Sequence, residues 1–518
     1  DNIHRIQSFL SMEGRVKTES TNSLQLEPSW SEYAVRCEKF GNLGSMPIRK
    51  YFPFVAFSDA RSENFIGVSL YSPSSWQFEI LCQIEELSMS CGIADRDFGH
   101  WFKKIGIGET FTTPKAVIAC GKSLDEVCDK LVKHQNPNVS KLDVDMPIIF
   151  NEFCTTWGNP NFNNIKRIAD KIKGRGIKYL VVDCGWYADE TGWEITIGDW
   201  KANSDMFPNG LIEVSEYIKK CGMVPGIWFE MEIVGRNAKA FHMTEHLLKK
   251  DDVVITTGDR RFWDMTDPWV IEYLSNKVIK LLKECGFGYL KVDYNDNIGI
   301  GCDGAESLGE GLRTRVLGSQ AFFRKIKAEI PDLVIENCSS GGHRLEPSMM
   351  ELVSEASFSD AHETLAIPII AGNLHRTIKP SQSQIWAVLR RGDNANRLYY
   401  SLCSTFLGRM CLSGDIYDLS DQQWNVVKNG IKFYNDVSDI IKNGTTIFNK
   451  NDVDSYNKPK GEQIVVRDFC DRRLVVVHRF ENSENVSLDF LNGYSVISTF
   501  GSAEDDFSAM AWHLKLQG

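Results

Sequence analysis

The sequence of 518 residues lacks the features that mark several large classes of protein. No apolar stretch approaches the roughly 18 uninterrupted residues of a membrane-spanning helix, and no cluster of Lys and Arg marks a nucleic-acid-binding face. Acidic residues outnumber basic ones by 69 to 58, which gives a formal net charge of −11. We therefore expect neither a membrane partner nor a nucleic-acid partner.

Cysteine spacing excludes two further classes. The 14 cysteines form no CxxC pair and no Cys/His ladder, so the sequence indicates neither a zinc module nor a disulfide framework. Several thiols, among them Cys82, Cys221 and Cys403, stand singly in apolar runs. This usage is typical of a reducing compartment, and we expect a cytoplasmic protein. A secreted protein with a removed signal peptide is the open alternative.

Three zones follow one another along a chain that is long for a single domain. Residues 1–140 carry short apolar or aromatic runs broken by turn residues, which predicts an N-terminal β-sandwich. Residues 141–440 alternate strand-like and helix-like stretches. Residues 441–518 return to strand-like runs, which predicts a small C-terminal antiparallel β-domain.

The middle zone predicts a closed (β/α)8, or TIM, barrel. Strand-like residues 179–182 precede the helix-like stretch 211–221, and a second helix-like stretch, 270–285, stops at Gly286. A doubly wound sheet is the alternative, but no GxGxxG follows the first strand. The predicted fold class is therefore multidomain, with a central α/β barrel flanked by two β-domains.

Acidic residues stand at the end of five apolar runs in the middle zone. Active residues of a barrel lie at the carboxyl ends of its strands. Five acids in this position predict a carboxylate-rich pocket on one rim. They are Asp183, Glu230, Asp293, Glu336 and Asp360.

Two chemistries suit such a pocket. A pair of carboxyl groups about 5–5.5 Å apart hydrolyses glycosides with retention of configuration. A divalent metal is the alternative, with His343 and His362 as candidate ligands, although no HxH or HExxH spacing occurs. Nearby tryptophans suit stacking on a sugar face and favour the glycosidase interpretation.

Seven short motifs lie in one order between residues 147 and 415: DCGW (183–186), GDW (198–200), FPNGL (207–211), GIWFEME (226–232), KVDYN (291–295), ENCSSGG (336–342) and SD (359–360). Each motif alone is common. Together, and in this order, they resemble the α-galactosidases of glycoside hydrolase family 36, whose flanking β-domains the outer zones also match.

The resemblance implies retaining, exo-acting hydrolysis of a terminal α-linked galactose-type sugar in an oligosaccharide or glycoconjugate. It implies no metal and no organic cofactor, and a homo-oligomer is among the expectations. Asp293 matches the nucleophile and Asp360 matches the acid/base. The candidate substrate-binding residues are Asp183, Cys184, Trp186, Trp200, Trp228, Arg260, Lys291, Asn295, Cys338, Gly341 and Arg344.

Spacing adds physical expectations to these roles. Lys291 and Asn295 stand two residues on either side of Asp293, so all three face the barrel interior in a regular strand. The ammonium of Lys291 would favour the charged form of Asp293, and Asn295 would bond a sugar hydroxyl. Asp360 has to hold a proton, so its pKa should be raised by burial or by Asp293.

Two departures from the family pattern bear on specificity. Cys184 replaces the second of two adjacent aspartates that grip sugar hydroxyls, and a thiol is a poor donor and acceptor. His362 and Glu363 replace the Thr-Asp pair that usually follows the acid/base. An N-acetylgalactosaminidase or galactosaminidase and an α-galactosyl transglycosylase are therefore open alternatives. A non-catalytic carbohydrate-binding protein is the alternative from another class.

Overall fold

The computed structural model describes residues 1–27, 35–84, 86–451, 453–483 and 489–517. Its centre is a closed barrel of eight parallel strands, with antiparallel sheets before and after it in the chain. This architecture confirms the predicted fold class, whereas the domain boundaries near residues 140 and 440 stay predictions. Among the helices described, none is long and apolar enough to cross a membrane.

Two antiparallel sheets form the N-terminal domain. Their facing sides share an apolar core that contains Ile3, Val55, Val68, Trp76 and Phe78, as in a sandwich. The larger sheet has the order Val16–Ser20, Asn2–Ile6, Phe54–Asp59, Asn64–Tyr71, Lys115–Gly121, and the smaller has Val35–Asn42, Trp76–Gln83, Glu86–Ile93. The helical segments of this part are Arg96–Gly99, Leu124–His134 and Lys141–Asp143.

The eight barrel strands, named β1 to β8 in chain order, pair in sequence and close between β8 and β1. Nearly every residue in them is buried, as expected for parallel strands covered on both faces. Their bounds are Ile148–Asn151 (β1), Ile177–Val182 (β2), Val224–Phe229 (β3), Tyr289–Val292 (β4), Val334–Asn337 (β5), Glu355–Ser357 (β6), Ser383–Leu389 (β7) and Arg409–Gly414 (β8).

Helices follow the barrel strands. The chain between β3 and β4 runs through a π-helical turn and ends its helix at Cys285, before Gly286 with φ +64°, so the predicted stop is confirmed. The helical segments are Phe153–Thr156, Phe162–Ile172, Trp193–Thr196, Gly210–Lys220, Lys239–His242, Pro268–Leu274, Ser275–Ile279, Lys280–Cys285, Leu308–Glu329, Ser339–Gly342, Pro347–Met350, Ile367–Leu374, Pro380–Gln382, Ala395–Thr405 and Asp421–Asn443.

Short strands after β3 extend the rim of the barrel. One small sheet has the order Ile233–Gly235, Arg260–Phe262, Thr256–Thr257, and Lys249–Lys250 pairs with Val253–Val254. The C-terminal sheet is antiparallel, as predicted, and a short helical turn covers Asp489–Leu491. Its strand order is Thr445–Lys450, Glu462–Phe469, Arg472–Arg479, Ala509–Leu516, Tyr494–Ser502.

Candidate active site

Alternation along the barrel strands decides which acids face the interior. Tyr179 and Val181 of β2 and Tyr289 of β4 belong to one apolar cluster, separate from the residues that pack against the helices. Side chains of the same parity point to the same side of a strand. Asp183 and Asp293 continue these two interior rows, so both reach the carboxyl-end rim from inside the barrel.

Asp293 is held by four donors. Its Oδ1 accepts from the backbone N–H groups of Tyr294 and Ser340, each at 2.8 Å, and its Oδ2 accepts from Asn295 Nδ2 at 2.9 Å and Trp228 Nε1 at 3.3 Å. Four donors match the acceptor capacity of an ionised carboxylate. The carboxylate therefore has one fixed orientation in the pocket.

Asp360 follows β6 and has a different environment. Burial, reinforced by the charge of Asp293, raises its pKa to about 7. Yet 39% of its side chain is exposed. Protein packed around the carboxyl group thus raises its pKa, while part of the side chain stays open to solvent. Such a group is partly protonated at neutral pH and is accessible to a ligand.

The turn after β5 brings the two aspartates together. Ser340 donates its N–H to Asp293, and a Cβ placed on the next residue, Gly341, would lie 2.5 Å from Oδ1 of Asp360. The left-handed backbone of Ser339, Ser340 and Gly341, with φ of 53°, 55° and 64°, makes this approach possible. Consecutive residues thus contact the two carboxyl groups, which flank one small space at the rim.

His362 lies beside the second aspartate. Its Nε2 is 3.7 Å from Oδ1 of Asp360, and its ring stacks on Trp386 with centroids 4.3 Å apart. Burial and the charge of Lys291 lower its pKa to about 3, so the ring is neutral at physiological pH. A neutral imidazole leaves the electrostatics of Asp360 to the neighbouring carboxylates.

The expectation that Lys291 pairs with Asp293 is wrong. Lys291 faces the interior, as predicted, but its ammonium donates to Oδ2 of Asp183 at 2.8 Å rather than to Asp293. Asn151 Nδ2 donates to the same oxygen at 2.6 Å. Burial alone would raise the pKa of Asp183, but Lys291, Asn151 and the backbone N–H of Cys184 together outweigh burial, and the pKa is lowered. Asp183 is therefore a buried, charged acceptor.

Glu230 follows β3 and lies between Asp183 and Asp293 on the rim. It accepts from Asn295 N at 2.5 Å and Asn295 Nδ2 at 3.1 Å, and Arg260 Nη1 lies 3.4 Å from both its oxygens. Burial raises its pKa to about 7, although Arg260 opposes this. Asn295, predicted to bond a sugar hydroxyl, is engaged with Glu230 and Asp293 in this structure.

The three tryptophans among the candidate substrate-binding residues pack against one another beside Asp293. Trp186, Trp200 and Trp228 are 0%, 3% and 1% exposed. Trp186 Nε1 donates to the carbonyl of Trp228 at 2.9 Å, and Trp228 Nε1 in turn points at Asp293. This arrangement favours a positioning role, since the exposed area left for stacking on a ligand is small.

Two thiols border the carboxylates. Cys184 and Cys338 are 2% and 4% exposed. Burial raises the pKa of both thiols well above the ordinary value, and the charges of Asp183 and Asp293 add to the effect. Both cysteines are therefore neutral, and the position of Cys184 contributes no negative charge to the pocket.

Two predicted residues lie elsewhere. Arg344 forms a buried ion pair with Glu232 at 2.6 Å, donates to the carbonyl of Ser45 and stacks over the ring of Tyr294. Its donors are engaged inside the protein, which favours a structural role. The expectation that Glu336 stands at the rim is wrong, because Glu336 lies within β5 and accepts from the hydroxyl of Tyr289.

Two carboxyl groups near these aspartates were not predicted from the sequence. Glu152 follows β1 and accepts from Asp183 N at 2.9 Å; burial raises its pKa to about 8. The strand-end rule that found Asp183 would have found it. Glu13 comes from the N-terminal domain, is 2% exposed and lies near Ser359 and Asp360; burial raises its pKa to about 8. No sequence signal links it to the barrel.

The fold and the site define a (β/α)8-barrel protein in which one turn contacts two aspartates on the carboxyl-end rim, with tryptophans beside the first of them. The particular family follows from comparison with known proteins. The sequence model of the Melibiase family matches residues 110–444, and the chain belongs to this family. The resemblance found in the motifs is thereby confirmed.

Named relatives are consistent with this family. Alpha-galactosidase Mel36A of Lactobacillus acidophilus is 24% identical over 419 residues, which cover 76% of this chain and 56% of that protein. Alpha-galactosidase AgaA of Geobacillus stearothermophilus is 24% identical over 418 residues, again covering 76% of this chain and 56% of the relative. The chain thus spans about half the length of these relatives.

Solved structures support the fold. The GH36 alpha-galactosidase AgaA from Geobacillus stearothermophilus in complex with raffinose superposes with a TM-score of 0.84 at 20% identity, covering 100% of this chain and 75% of that chain. The galactosidase domain of the alpha-galactosidase-sucrose kinase AgaSK gives a TM-score of 0.82 at 15% identity, covering 100% and 74%. At this identity the likeness establishes the shared architecture.

Proposed function

We propose that the chain is a retaining, exo-acting α-glycoside hydrolase that releases a terminal α-linked galactose-type sugar. The observation that carries the proposal is the contrast between two neighbouring carboxyl groups. Asp293 is surrounded by four donors, whereas burial and Asp293 raise the pKa of Asp360 to about 7. Neighbouring carboxyl groups in such different environments are suited to separate roles as nucleophile and acid.

The proposed reaction has two displacements. In the first, Oδ2 or Oδ1 of Asp293 bonds the anomeric carbon while the glycosidic C–O bond breaks, and Asp360 gives its proton to the leaving oxygen. In the second, Asp360 takes a proton from water, the water oxygen bonds the anomeric carbon, and the bond to Asp293 breaks. The product keeps the α configuration, and Asp360 is protonated again.

The proposed substrate is an oligosaccharide or glycoconjugate with a terminal α-galactose-type residue. The relatives' names as α-galactosidases and the raffinose bound by one solved relative support this class. Charged acceptors at Asp183 and donors at Arg260 and Lys291 suit a polyhydroxylated ring in a narrow pocket. The proposal needs neither a metal nor an organic cofactor.

The nucleophile is tested with Asp293→Asn on aryl α-galactosides. Loss of the attacking oxygen should lower kcat by about 1,000-fold or more, with the fold intact by circular dichroism. Asp303→Asn is the matched control, since Asp303 follows the same strand but accepts from the backbone of Asp251 and Asp252. Turnover near the wild-type rate in the Asp293 variant would refute the assignment.

Cys184 keeps a second candidate open. Its neutral thiol stands where the family pattern has a carboxylate, so an α-N-acetylgalactosaminidase or galactosaminidase activity is the alternative. A panel of aryl α-glycosides of galactose, N-acetylgalactosamine, galactosamine and glucose separates these sugars. Added acceptor sugars reveal transglycosylation, and ligand binding without turnover on the whole panel would identify a non-catalytic carbohydrate-binding protein.

A further inference from the structure

A cavity lies where three parts of the chain meet, and neither Asp293 nor Asp360 lines it. It has a volume of about 250 Å³. Its walls come from the helix Leu124–His134, from the chain after the helix Ile367–Leu374, from the end of the helix Asp421–Asn443 and from the C-terminal sheet. The N-terminal part, the barrel and the C-terminal part thus all contribute to it.

Positive charge dominates the lining of this junction cavity. Two of its cations have carboxylate partners: Arg376 pairs with Asp125 at 2.6 Å and Lys133 with Asp129 at 2.7 Å. The other three cations have no carboxylate within ion-pair distance among the residues that the structure describes, which contrasts with the net charge of −11 of the whole chain. They are Lys379, Lys442 and Arg467.

Arg467 is the most informative of the three. It is 4% exposed, and it donates to the hydroxyl of Thr446 at 2.6 Å and to the carbonyls of Ile441 and Gly444 at 2.9 and 2.5 Å. These acceptors complete the end of a helix but carry no full negative charge. Burying a guanidinium beside two more cations is costly unless an anion offsets it.

Lys379 and Lys442 line the same cavity as Arg467. Each is partly exposed and donates to a backbone carbonyl, Lys379 to Lys133 at 3.4 Å and Lys442 to Val144 at 2.6 Å. Burial lowers the pKa of Lys379, Asp129 opposes the shift, and the charge of Lys133 adds to it. Carbonyl contacts leave an ammonium free to take up an anionic acceptor, since it has three donors.

We propose that the junction cavity binds a phosphate group, either as inorganic phosphate or as a phosphate monoester of a small metabolite. Three cations without carboxylate partners match a dianion, and the planar fork of Arg467 with the two ammonium groups suits a tetrahedral oxyanion. A cavity of about 250 Å³ admits the phosphate with a small attached group. The bound anion would join the three parts of the chain that line it.

Calorimetric titration of the full chain with inorganic phosphate, at constant ionic strength set with chloride, tests the proposal. We expect saturable binding at one site and a phosphate-dependent rise in Tm. Glycerol phosphate replaces inorganic phosphate in a parallel titration, and the tighter of the two identifies the source of the group. Neither measurement uses hydrolysis, so this proposal and the proposed function fail independently.

Variants assign the binding to the cavity. Lys379→Gln and Lys442→Gln should each raise the Kd for phosphate about three- to tenfold. Lys432→Gln is the matched control, because Lys432 lies on the same helix as Lys442 but pairs with Asp436 outside the cavity. Arg467→Gln removes a helix-end contact as well, so the two lysine variants decide the outcome if it fails to fold. Absence of saturable binding, or unchanged Kd in both lysine variants, would overturn the proposal.

Discussion

Asp293 and Asp360 carry the same carboxyl group in different surroundings. Asp293 accepts four hydrogen bonds, whereas burial and the charge of Asp293 raise the pKa of Asp360 to about 7. Residue type and strand-end position could be predicted from the sequence. The partner of Lys291 and the approach of Glu13 could not, because both depend on chain segments that the sequence keeps far apart.

The pH dependence of kcat/KM tests the state of Asp360. The group has to be protonated to act as an acid, so activity should fall as the pH rises through its raised pKa, about 7. Asp360→Asn should remove this basic limb. The variant should also lose more activity on substrates with poor leaving groups than on activated aryl glycosides. Equal losses on both substrates, with the limb unchanged, would exclude the acid/base role.

Cys184→Asp tests specificity at the pocket floor. If the missing carboxylate limits binding of a simple galactoside, kcat/KM on aryl α-galactosides should rise about tenfold. Cys184→Ser is the control, since it changes the sulfur to a hydroxyl without adding charge. An aspartate at a position that is 2% exposed also carries a desolvation cost, so unfolding is measured alongside. Unchanged kcat/KM in a folded aspartate variant would remove this explanation of the departure.

The turn after β5 is the element that assembles the site. A run of left-handed residues lets the backbone come close to both aspartates. The strand β4, Tyr289–Val292, is apolar except for Lys291, whose ammonium lies inside the barrel on Asp183. The end of β5 was misplaced because Glu336 and Asn337 continue the strand with polar side chains bonded inside the protein.

Gly341→Ala tests the role of this turn. A Cβ there would lie 2.4 Å from the backbone N of Asp360, so we expect displacement of the acid/base and a loss of about 100-fold in kcat. Gly222→Ala is the matched control, with φ +83° and no heavy atom within 4 Å of its added Cβ. Gly222→Ala should lose about 1 kcal/mol of unfolding free energy through its positive φ alone and keep its activity, whereas Gly341→Ala should lose more, because its Cβ also meets backbone atoms. Wild-type kcat in a folded Gly341 variant would contradict this view.

For the whole molecule, buried titratable groups predict how stability varies with pH. Burial raises the pKa of several carboxyl groups above their unfolded values and lowers that of several histidines. The carboxyl groups are Glu13 and Glu152, at about 8, and Glu230, Glu346 and Asp360, at about 7. The histidines are His362, His375 and His478, at about 3.

Whether stability rises or falls with pH depends on which state, folded or unfolded, binds more protons. From about pH 4.5 to 8 the folded chain keeps carboxyl protons that the unfolded chain has lost, so the five carboxyl groups make stability fall as the pH rises. Below about pH 6.5 the unfolded chain binds protons at three histidines that the folded chain leaves neutral, which opposes the effect of the carboxyl groups. Because the carboxyl groups outnumber the histidines, we expect Tm to fall from about pH 6 to about pH 8, measured at constant ionic strength. A Tm that rises from pH 6.5 to 8 would contradict the assigned burial of these groups.

Fold class and family were accessible from the sequence because strand-like and helix-like stretches alternate and several motifs stand at strand ends. The contacts that the N-terminal part and the C-terminal sheet make with the barrel could not be predicted from the sequence, since they depend on long-range packing. This limit applies to both sites, because Glu13 reaches the aspartates and Arg467 reaches the junction cavity from outside the barrel.

The most direct test of the central claim is to trap the sugar on the enzyme. A fluorinated aryl α-galactoside slows the second displacement, and peptide mass spectrometry then locates the bound sugar. We predict one sugar attached to the peptide that contains Asp293 in the wild-type protein, and no attached sugar in Asp293→Asn. A sugar on another residue, or release of the β anomer as first product with no labelled peptide, would contradict it.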